Sequence, residues 1–394
     1  MKSVAIFVSG LALSALAAKP TAVETALRPY VDRGEIPGYV SVLVDGGREE
    51  WTLGGWADVE RRVPMKKDTL FRICSQTKGI CGAAAAKLVA EGKLSLDDPI
   101  EKYFPEFGKL EVLTDNKAGV KRVAVTGHRI TLRDCLSHTA GFDFETPVSK
   151  ALGWTSTPPR VAAAIAATYP LAYIPGTKWK YSNTGIDVAV AVIEKVTGER
   201  IEDHLKRVIF DPLGMKDTTF RPNAEQQSRL ATIYAVATGA TCRVMKEYRP
   251  LPKPYDSADR FPSGGAGLFS TPRDLIEFYR MLAFGGVARD GRRVLPEKAV
   301  TEILAVSQTP KTTGVSYSLG LFVDGETIWH DGALKTTGYA NPSRRQARLW
   351  MMQCDYAVAN RWHQFNVWRP AADAFFTTAV KAADEKAFNR QGGK

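Results

Sequence analysis

The sequence predicts an α/β chain of the α+β kind, and three observations carry that prediction. Hydrophobic residues alternate with period two near both ends of the 394 residues. The long middle follows helical periodicity instead. A single Ser-x-x-Lys, Ser75 to Lys78, stands at the head of an apolar helix. A sheet built from both ends of the chain, with a mainly helical domain inserted between them, satisfies all three.

Taken in order, residues 1–18 read as a secretory signal. Lys2 precedes an apolar run from Val4 to Ala17, and Ala15-Leu16-Ala17 forms a small-x-small cleavage site near Ala17 and Ala18. The run is short for a bilayer span, so the mature chain is expected in the periplasm or secreted, with no membrane span left. Thr21 to Arg33 sets Val23, Leu27 and Val31 on one helical face, with Gly34 after it. Gly38 to Val44 alternates as a strand, turns at Gly46-Gly47 and returns through Trp51 to Trp56 as a hairpin. Cys81, Ala83 to Ala86, Leu88 and Val89 then give a buried helix that stops at Gly92.

Leu94 to Pro99 is a turn into a short helix ending near Phe104, and residues 107–130 are polar, glycine-bearing and without a clear period. Thr131 to Leu136 opens a helix, and others follow at 158–168, 184–197 and 201–210, closed by the turn Asp211 to Met215. Residues 225–262 are irregular and proline-bearing. Gly264 to Pro272 leads into a helix from Arg273 to Ala283. Strands are expected at Ser316 to Asp324, Thr327 to His330, Gly338 to Asn341 and Ala347 to Cys354, before an amphipathic helix from Pro370 to Lys381. The expected organisation is a sheet domain from 19–80 and 265–385, a mainly helical domain from 81–264, and an active site between them.

Composition narrows the function. With 44% hydrophobic and 24% charged residues the chain has ample material for a core. The net charge is +11, but Lys and Arg are scattered among acids and form no basic cluster interleaved with aromatics. No nucleic-acid partner is expected. Five cysteines, an odd number without paired spacing, make no disulfide framework. Cys74 abuts Ser75 and reads as a small buried apolar side chain, not as a nucleophile. None of the five histidines has metal-ligand spacing, so no metal and no cofactor are expected.

Ser75 and Lys78 share one face of a helix start. A serine hydroxyl becomes a nucleophile when a neighbouring base takes its proton, and a lysine is such a base once burial or positive potential lowers its pKa. Taken alone, the pair favours a capping serine with a solvated lysine one turn on. Tyr181 and Asn183 lie in the glycine-bracketed turn Gly176 to Gly185, ahead of an apolar helix. A phenol beside an ammonium group can be held as phenolate and shuttle a proton. The Asn183 amide can hold a substrate carbonyl or pin the lysine. Tyr339-Ala340-Asn341 is a second copy of this pattern, read as a strand tyrosine facing the core. His330-Asp331-Gly332-Ala333 closes a strand, where Gly332 would let substrate lie along the edge and the Ala333 N–H could serve as an oxyanion donor.

Ser75-x-x-Lys78, Tyr181-x-Asn183 and His330-x-Gly332, in this order and far apart, resemble the serine β-lactamase and penicillin-binding protein superfamily. The likeness is to its class C-like branch, which also holds DD-peptidases, D-aminopeptidases and β-lactamase-fold esterases. Flanking segments agree: Phe71-Arg72-Ile73, Glu91 to Pro99, Leu136 to Gly141 and Gly264 to Pro272. The resemblance spans residues 22 to 355. It implies a β-lactamase/transpeptidase-like fold, with an antiparallel sheet flanked by terminal helices and an inserted mainly helical domain. It also implies that Ser75 is acylated, that Lys78 and Tyr181 share the acid and base work, and that Asn183 orients substrate and lysine. The N–H groups of Ser75 and Ala333 would form the oxyanion hole. His330 would lend positive or donor character near the leaving group, and the segment around His138 would be structural.

The substrates implied are small-molecule esters, β-lactams or cell-wall peptides. Relatives acting on β-lactams or peptide C-termini usually carry threonine or serine where this chain has Asp331. A carboxylate facing the cleft there would repel a substrate carboxylate and tilt the reading towards esters; pointed away, it changes little. Lys335 to Gly338 and Lys311 to Gly314 look like Lys-Thr-Gly motifs with one residue too many, and neither stands at the strand end held by His330. A non-catalytic penicillin-binding sensor that acylates without turnover, and an acyltransferase, are the competing readings.

Overall fold

The computed structural model describes residues 19–116, 119–236, 240–246, 248, 251–252, 254–305, 315–355 and 367–377. The expected leader over 1–18, the segment Lys311 to Gly314 and the tail 378–381 of the expected C-terminal helix lie outside them.

Helix α1 (Ala22–Asp32) is capped by Thr21, whose hydroxyl accepts from the Glu24 amide, and it buries Val23 and Leu27. Strands β1 (Gly38–Asp45) and β2 (Arg48–Asp58) form the expected hairpin; β3 (Val63–Pro64) and β4 (Phe71–Arg72) follow. A 3₁₀ turn, Cys74–Gln76, leads into α2 (Thr77–Ala90), buried along nearly its whole length. The stretch 107–130, which carried no period, holds the hairpin β5 (Glu111–Asn116) and β6 (Gly119–Ala124). Val112 is buried there, while Leu113, Val120 and Val123 are exposed, so backbone pairing rather than a hydrophobic face defines it.

The helical middle comprises α3 (Leu132–Ser137), α4 (Pro147–Leu152), α5 (Pro159–Thr168), α6 (Asn183–Thr197), α7 (Ile201–Leu205), α8 (Asp211–Leu213) and α9 (Ala224–Ser228). The two-residue strands β7 (Tyr234–Ala235), β8 (Arg243–Val244) and β9 (Phe269–Ser270) follow, then α10 (Pro272–Ala283) and α11 (Glu297–Leu304). The last strands are β10 (Phe322–Asp324), β11 (Thr327–Gly332), β12 (Thr336–Asn341) and β13 (Gln346–Met351). Residues 369–377 are helical. The strand expected from Ser316 begins only at Phe322, because Gly320 turns at φ +76°, so close to α2 that a Cβ there would meet the Lys78 carbonyl.

Seven strands form one antiparallel sheet in the order β10-β11-β12-β13-β1-β2-β3. The strand order joins β1 to β13, so both ends of the chain meet in the middle of the sheet. On one face Val40, Val42, Leu349 and Ile328 join α2 and α10 in the large core. On the other, Tyr39, Trp350 and Trp368 pack under α1 and the C-terminal helical segment. The antiparallel sheet with helices on both sides is the β-lactamase/transpeptidase-like fold expected. No helix among the described residues is long and apolar enough to cross a membrane.

Close approach of α2 to residues 319–321 places the head of that helix. A Cβ at Gly82 would overlap the Leu319 carbonyl, and one at Gly79 would press on Leu321. Gly82→Ala therefore tests the packing against helix propensity. Propensity alone favours alanine by about 1 kcal/mol, but overpacking against a backbone carbonyl costs about 1–3 kcal/mol. A net destabilisation is expected in urea unfolding, and a stabilised variant would show that this contact yields freely.

Candidate active site

Ser75 sits in the 3₁₀ turn that opens α2, the tight geometry that stacks residues i and i+3. Lys78 Nζ thereby lies 3.2 Å from Ser75 Oγ. The preceding residue, Cys74, is held at φ +46°, a left-handed conformation rare for a side chain with a Cβ. Its thiol is fully buried against Ile233, Leu251 and Leu334, and burial pushes it up to about 11. It packs as the small apolar group its sequence context suggested.

Lys78 is fully buried, and its other neighbours define its chemistry. Nζ lies 2.6 Å from Asn183 Oδ1 and 2.6 Å from the Gly265 carbonyl. Both oxygens only accept, so each takes an N–H of Nζ; the third position faces Ser75 Oγ, donating to it in the ammonium and offering a lone pair in the neutral amine. Burial pulls the Lys78 pKa down to about 7, against the opposing field of Asp187. Asp187 accepts from Ser263 Oγ and the Gly265 amide, each at 3.1 Å, and burial raises it to about 6. The sequence reading missed Asp187. Its signal was the spacing, since Asn183 and Asp187 are one turn apart on α6. Gly265 approaches so closely that a Cβ there would lie 2.7 Å from Asn183 Oδ1.

Tyr181 arrives from the loop before α6. Ser182 caps that helix by accepting from the Gly185 amide and donates to the Asp143 carbonyl. His138, at φ +66°, accepts the Ser182 amide at 3.3 Å and packs its ring 4.6 Å from that of Tyr181. Phe144 stacks on Tyr181 from another side at 6.1 Å. Lys78 Nζ stands 4.6 Å from the Tyr181 ring centroid. The phenolate reading needs correction, because burial drives the Tyr181 pKa upwards and its hydrogen bond with Ser75 offsets this only in part. A half-neutral lysine over the ring face cannot hold a phenolate. Tyr181 rests as a phenol.

His330 lies on β11, whose alternation turns Ile328, His330 and Gly332 to one face and Trp329 and Asp331 to the other. Its expected positive character is also corrected. Nδ1 lies 2.7 Å from the Asp331 carbonyl, an obligate acceptor, so Nδ1 carries the proton and Nε2 accepts. Two hydroxyls face that lone pair: Tyr317 Oη at 3.1 Å and Tyr181 Oη at 3.4 Å. Burial, with Lys78 nearby, pulls the imidazole down to about 3. His330 is a neutral acceptor. Tyr317 escaped notice in the sequence because it resembled one more residue of an alternating strand.

Gly332 also has a packing role. A Cβ there would collide with the Ile73 carbonyl and Thr336 Oγ1, so the bare glycine lets β11 close on the nucleophile turn. Ala333 follows in the turn and packs beside Leu334 and Cys74. Asp331 stands on the face opposite His330, so the argument from it towards esters loses its premise. Lys335 to Gly338 run from a turn into β12, the neighbouring strand, and Tyr339 stacks on Trp329 in the outer core.

A model of the Beta-lactamase family matches residues 23–365. The chain belongs to this family. The resemblance drawn from its three motifs is thereby borne out. The chain is 36% identical over 288 residues to Protein Rv1367c of Mycobacterium tuberculosis, covering 70% of this chain and 69% of that one. It is 31% identical over 245 residues to Esterase EstB of Burkholderia gladioli, covering 56% and 59%, and 29% identical to Lovastatin esterase of Penicillium rubens, covering 69% and 70%. Among solved structures, "EstCE1, a hydrolase with promiscuous acyltransferase activity" superposes with a TM-score of 0.71 at 22% identity, over 89% of this chain and 97% of that one. That last likeness shows the fold alone. Family membership makes this Beta-lactamase family chain a serine hydrolase-type enzyme.

The tautomer of His330 is directly measurable. Long-range ¹H–¹⁵N NMR of the imidazoles should place its proton on Nδ1 and show no charging between pH 5 and 8. An imidazolium signal in that window would restore the cationic role.

Proposed function

We propose that this chain is a serine hydrolase that cleaves a carboxylic ester or amide through an acyl-enzyme on Ser75. The contact between Ser75 Oγ and a buried Lys78 poised near neutrality carries the reading. In the first step Ser75 Oγ bonds to the substrate carbonyl carbon while its proton passes to the Lys78 lone pair. The carbonyl oxygen becomes an oxyanion, for which the N–H groups of Ser75 and Ala333 are the proposed donors. The close seating of Gly332 on Ile73 supports that pairing. The C–O or C–N bond then breaks, and the leaving group takes a proton relayed from Lys78 through the Tyr181 hydroxyl. Water repeats the sequence on the acyl-enzyme and releases Ser75.

Tyr181 suits a relay because it is a neutral phenol within reach of Ser75, with His330 Nε2 ready to accept from it. Asn183 holds Lys78 through Oδ1, and among the described residues its Nδ2 has no partner, leaving it for a substrate carbonyl. Relatives named as esterases favour carboxylic esters over β-lactams. Others are named acyltransferases, and an alcohol in place of water would give transfer with the same groups. The apolar run behind Lys2 supports action outside the cytoplasm.

The deciding experiment sets intact-mass spectrometry with a penicillin beside turnover of a nitrophenyl ester. Brisk ester cleavage without a lasting adduct is expected; a stable adduct without turnover would make the chain a penicillin-binding sensor. Ser75→Ala should lose labelling by a fluorophosphonate, and unchanged labelling would remove Ser75 as the nucleophile.

Because the neutral amine is the active form, kcat/KM should climb about tenfold per pH unit below the Lys78 pKa of about 7 and level off above it. A flat profile from pH 5 to 9 would assign the base elsewhere. Tyr181→Phe should cut kcat by roughly 10²–10⁴, far more than Tyr339→Phe, and the reverse ranking would mark the wrong tyrosine.

A further inference from the structure

A cavity of about 990 Å³ adjoins the site. It runs from Phe144 and Trp154, behind Tyr181, past Ile233 and Leu251, which pack on Cys74, to Arg72 and Tyr255. Arg72 ends β4, three residues before the nucleophile. Its side chain is 5% exposed, yet only Nη2 has a partner, the Tyr255 hydroxyl; Nε and Nη1 have none. The groups bearing on its charge are Tyr255, Cys74 and Tyr248, with no carboxylate among them.

Arg260, equally buried, lies 5.6 Å from the same Tyr255 ring that Arg72 approaches to 4.7 Å. Its Nη2 is bare as well. Among the described residues, two buried guanidiniums thus share one aromatic ring without a carboxylate partner. Among the described residues the cavity wall adds Lys150 and Lys246 against one acid, Glu145, which already accepts from Trp154 Nε1 at 2.6 Å.

We propose that this cavity is a substrate subsite for a carboxylate, held by the Arg72 guanidinium beside Tyr255. A buried guanidinium with donors left unpaired is costly, and a carboxylate is the partner that offsets both its charge and its free N–H groups. The apolar stretch along Phe144, Trp154, Ile233 and Leu251 takes the carbon chain between that carboxylate and the scissile bond. The enzyme's preferred substrate is then an ester carrying a free carboxylate, such as a hemiester of a dicarboxylic acid. This deepens the ester-hydrolase reading and rests on it.

The test compares mono-4-nitrophenyl glutarate with 4-nitrophenyl pentanoate for a carboxylate on the acyl side, and 4-acetoxybenzoate with 4-acetoxybenzamide for one on the alcohol side. In the unaltered enzyme one anionic member should exceed its neutral partner in kcat/KM by roughly tenfold. Arg72→Gln should abolish that ratio and Arg72→Lys restore part of it, whatever either does to the neutral ester. No anionic preference in the unaltered enzyme, or the same ratio in Arg72→Gln, overturns the proposal. Should Arg72→Gln fail to fold, Tyr255→Phe reads the same ratio, and an unchanged preference there together with none lost in Arg72→Lys counts against the subsite. Calorimetry of glutarate with Ser75→Ala reads the subsite without turnover. Binding there with no ester cleaved by the unaltered enzyme would sink the hydrolase reading alone, while cleavage of neutral esters with no glutarate bound would sink the subsite alone.

Discussion

The nitrogen of Lys78 is the point on which the rest of this structure depends. An amine enclosed by protein loses most of its solvation, and the charged form suffers far more than the neutral one. Asn183 and the Gly265 carbonyl supply the acceptors that a neutral amine needs and nothing that would fix a third proton. The remaining position of the nitrogen faces Ser75, and it carries a lone pair when the amine is neutral. Removing either acceptor would free the nitrogen to rotate; adding a carboxylate in contact would return it to a permanently charged ammonium. Asp187 lies one shell further out, anchored to Ser263 and the Gly265 amide, so its field tempers the burial without reversing it.

This arrangement draws on three distant segments, and each is held by a backbone approach that only glycine permits. Gly265 abuts Asn183, Gly332 abuts Ile73, and Gly82 abuts Leu319. Helix α2 is thereby wedged between the β10 end of the sheet and the helical middle, with the half-buried Ser75 at its head. The third motif uses the same closeness differently. A histidine whose Nδ1 is committed to a backbone carbonyl cannot offer a charge to the substrate; it offers a lone pair to Tyr181 and Tyr317. The positive potential expected from that position is therefore missing, while on the far side of Cys74 the Arg72 guanidinium has no carboxylate partner among the described residues.

Much of this was legible in the residues. The order and spacing of Ser75, Lys78, Tyr181, Asn183, His330 and Gly332 named the family, because covalent catalysis by a serine restricts which residue types can stand together. Alternation at both ends of the chain gave the sheet, and the helices α1, α2, α5, α6 and α10 followed from apolar faces that must be buried. The β5–β6 hairpin was hidden because its strands pair without burying a face, and Ser316 to Leu321 imitated a strand because alternation does not report a turn such as the one at Gly320.

Protonation was beyond the sequence altogether. Whether Lys78 is an ammonium or an amine, whether Tyr181 is a phenolate or a phenol, and whether His330 donates or accepts all depend on burial and on partners from other segments. Asp187 and Tyr317 belong to the site only through space, and Asp331 leaves it only through the pleat of β11. The chemical types and the order of the proposed catalytic groups were determined by the sequence alone. Their charge states, and the cationic cavity beside them, were decided by the tertiary structure, because solvation and hydrogen bonding belong to the folded surroundings of a residue and not to its position in the chain.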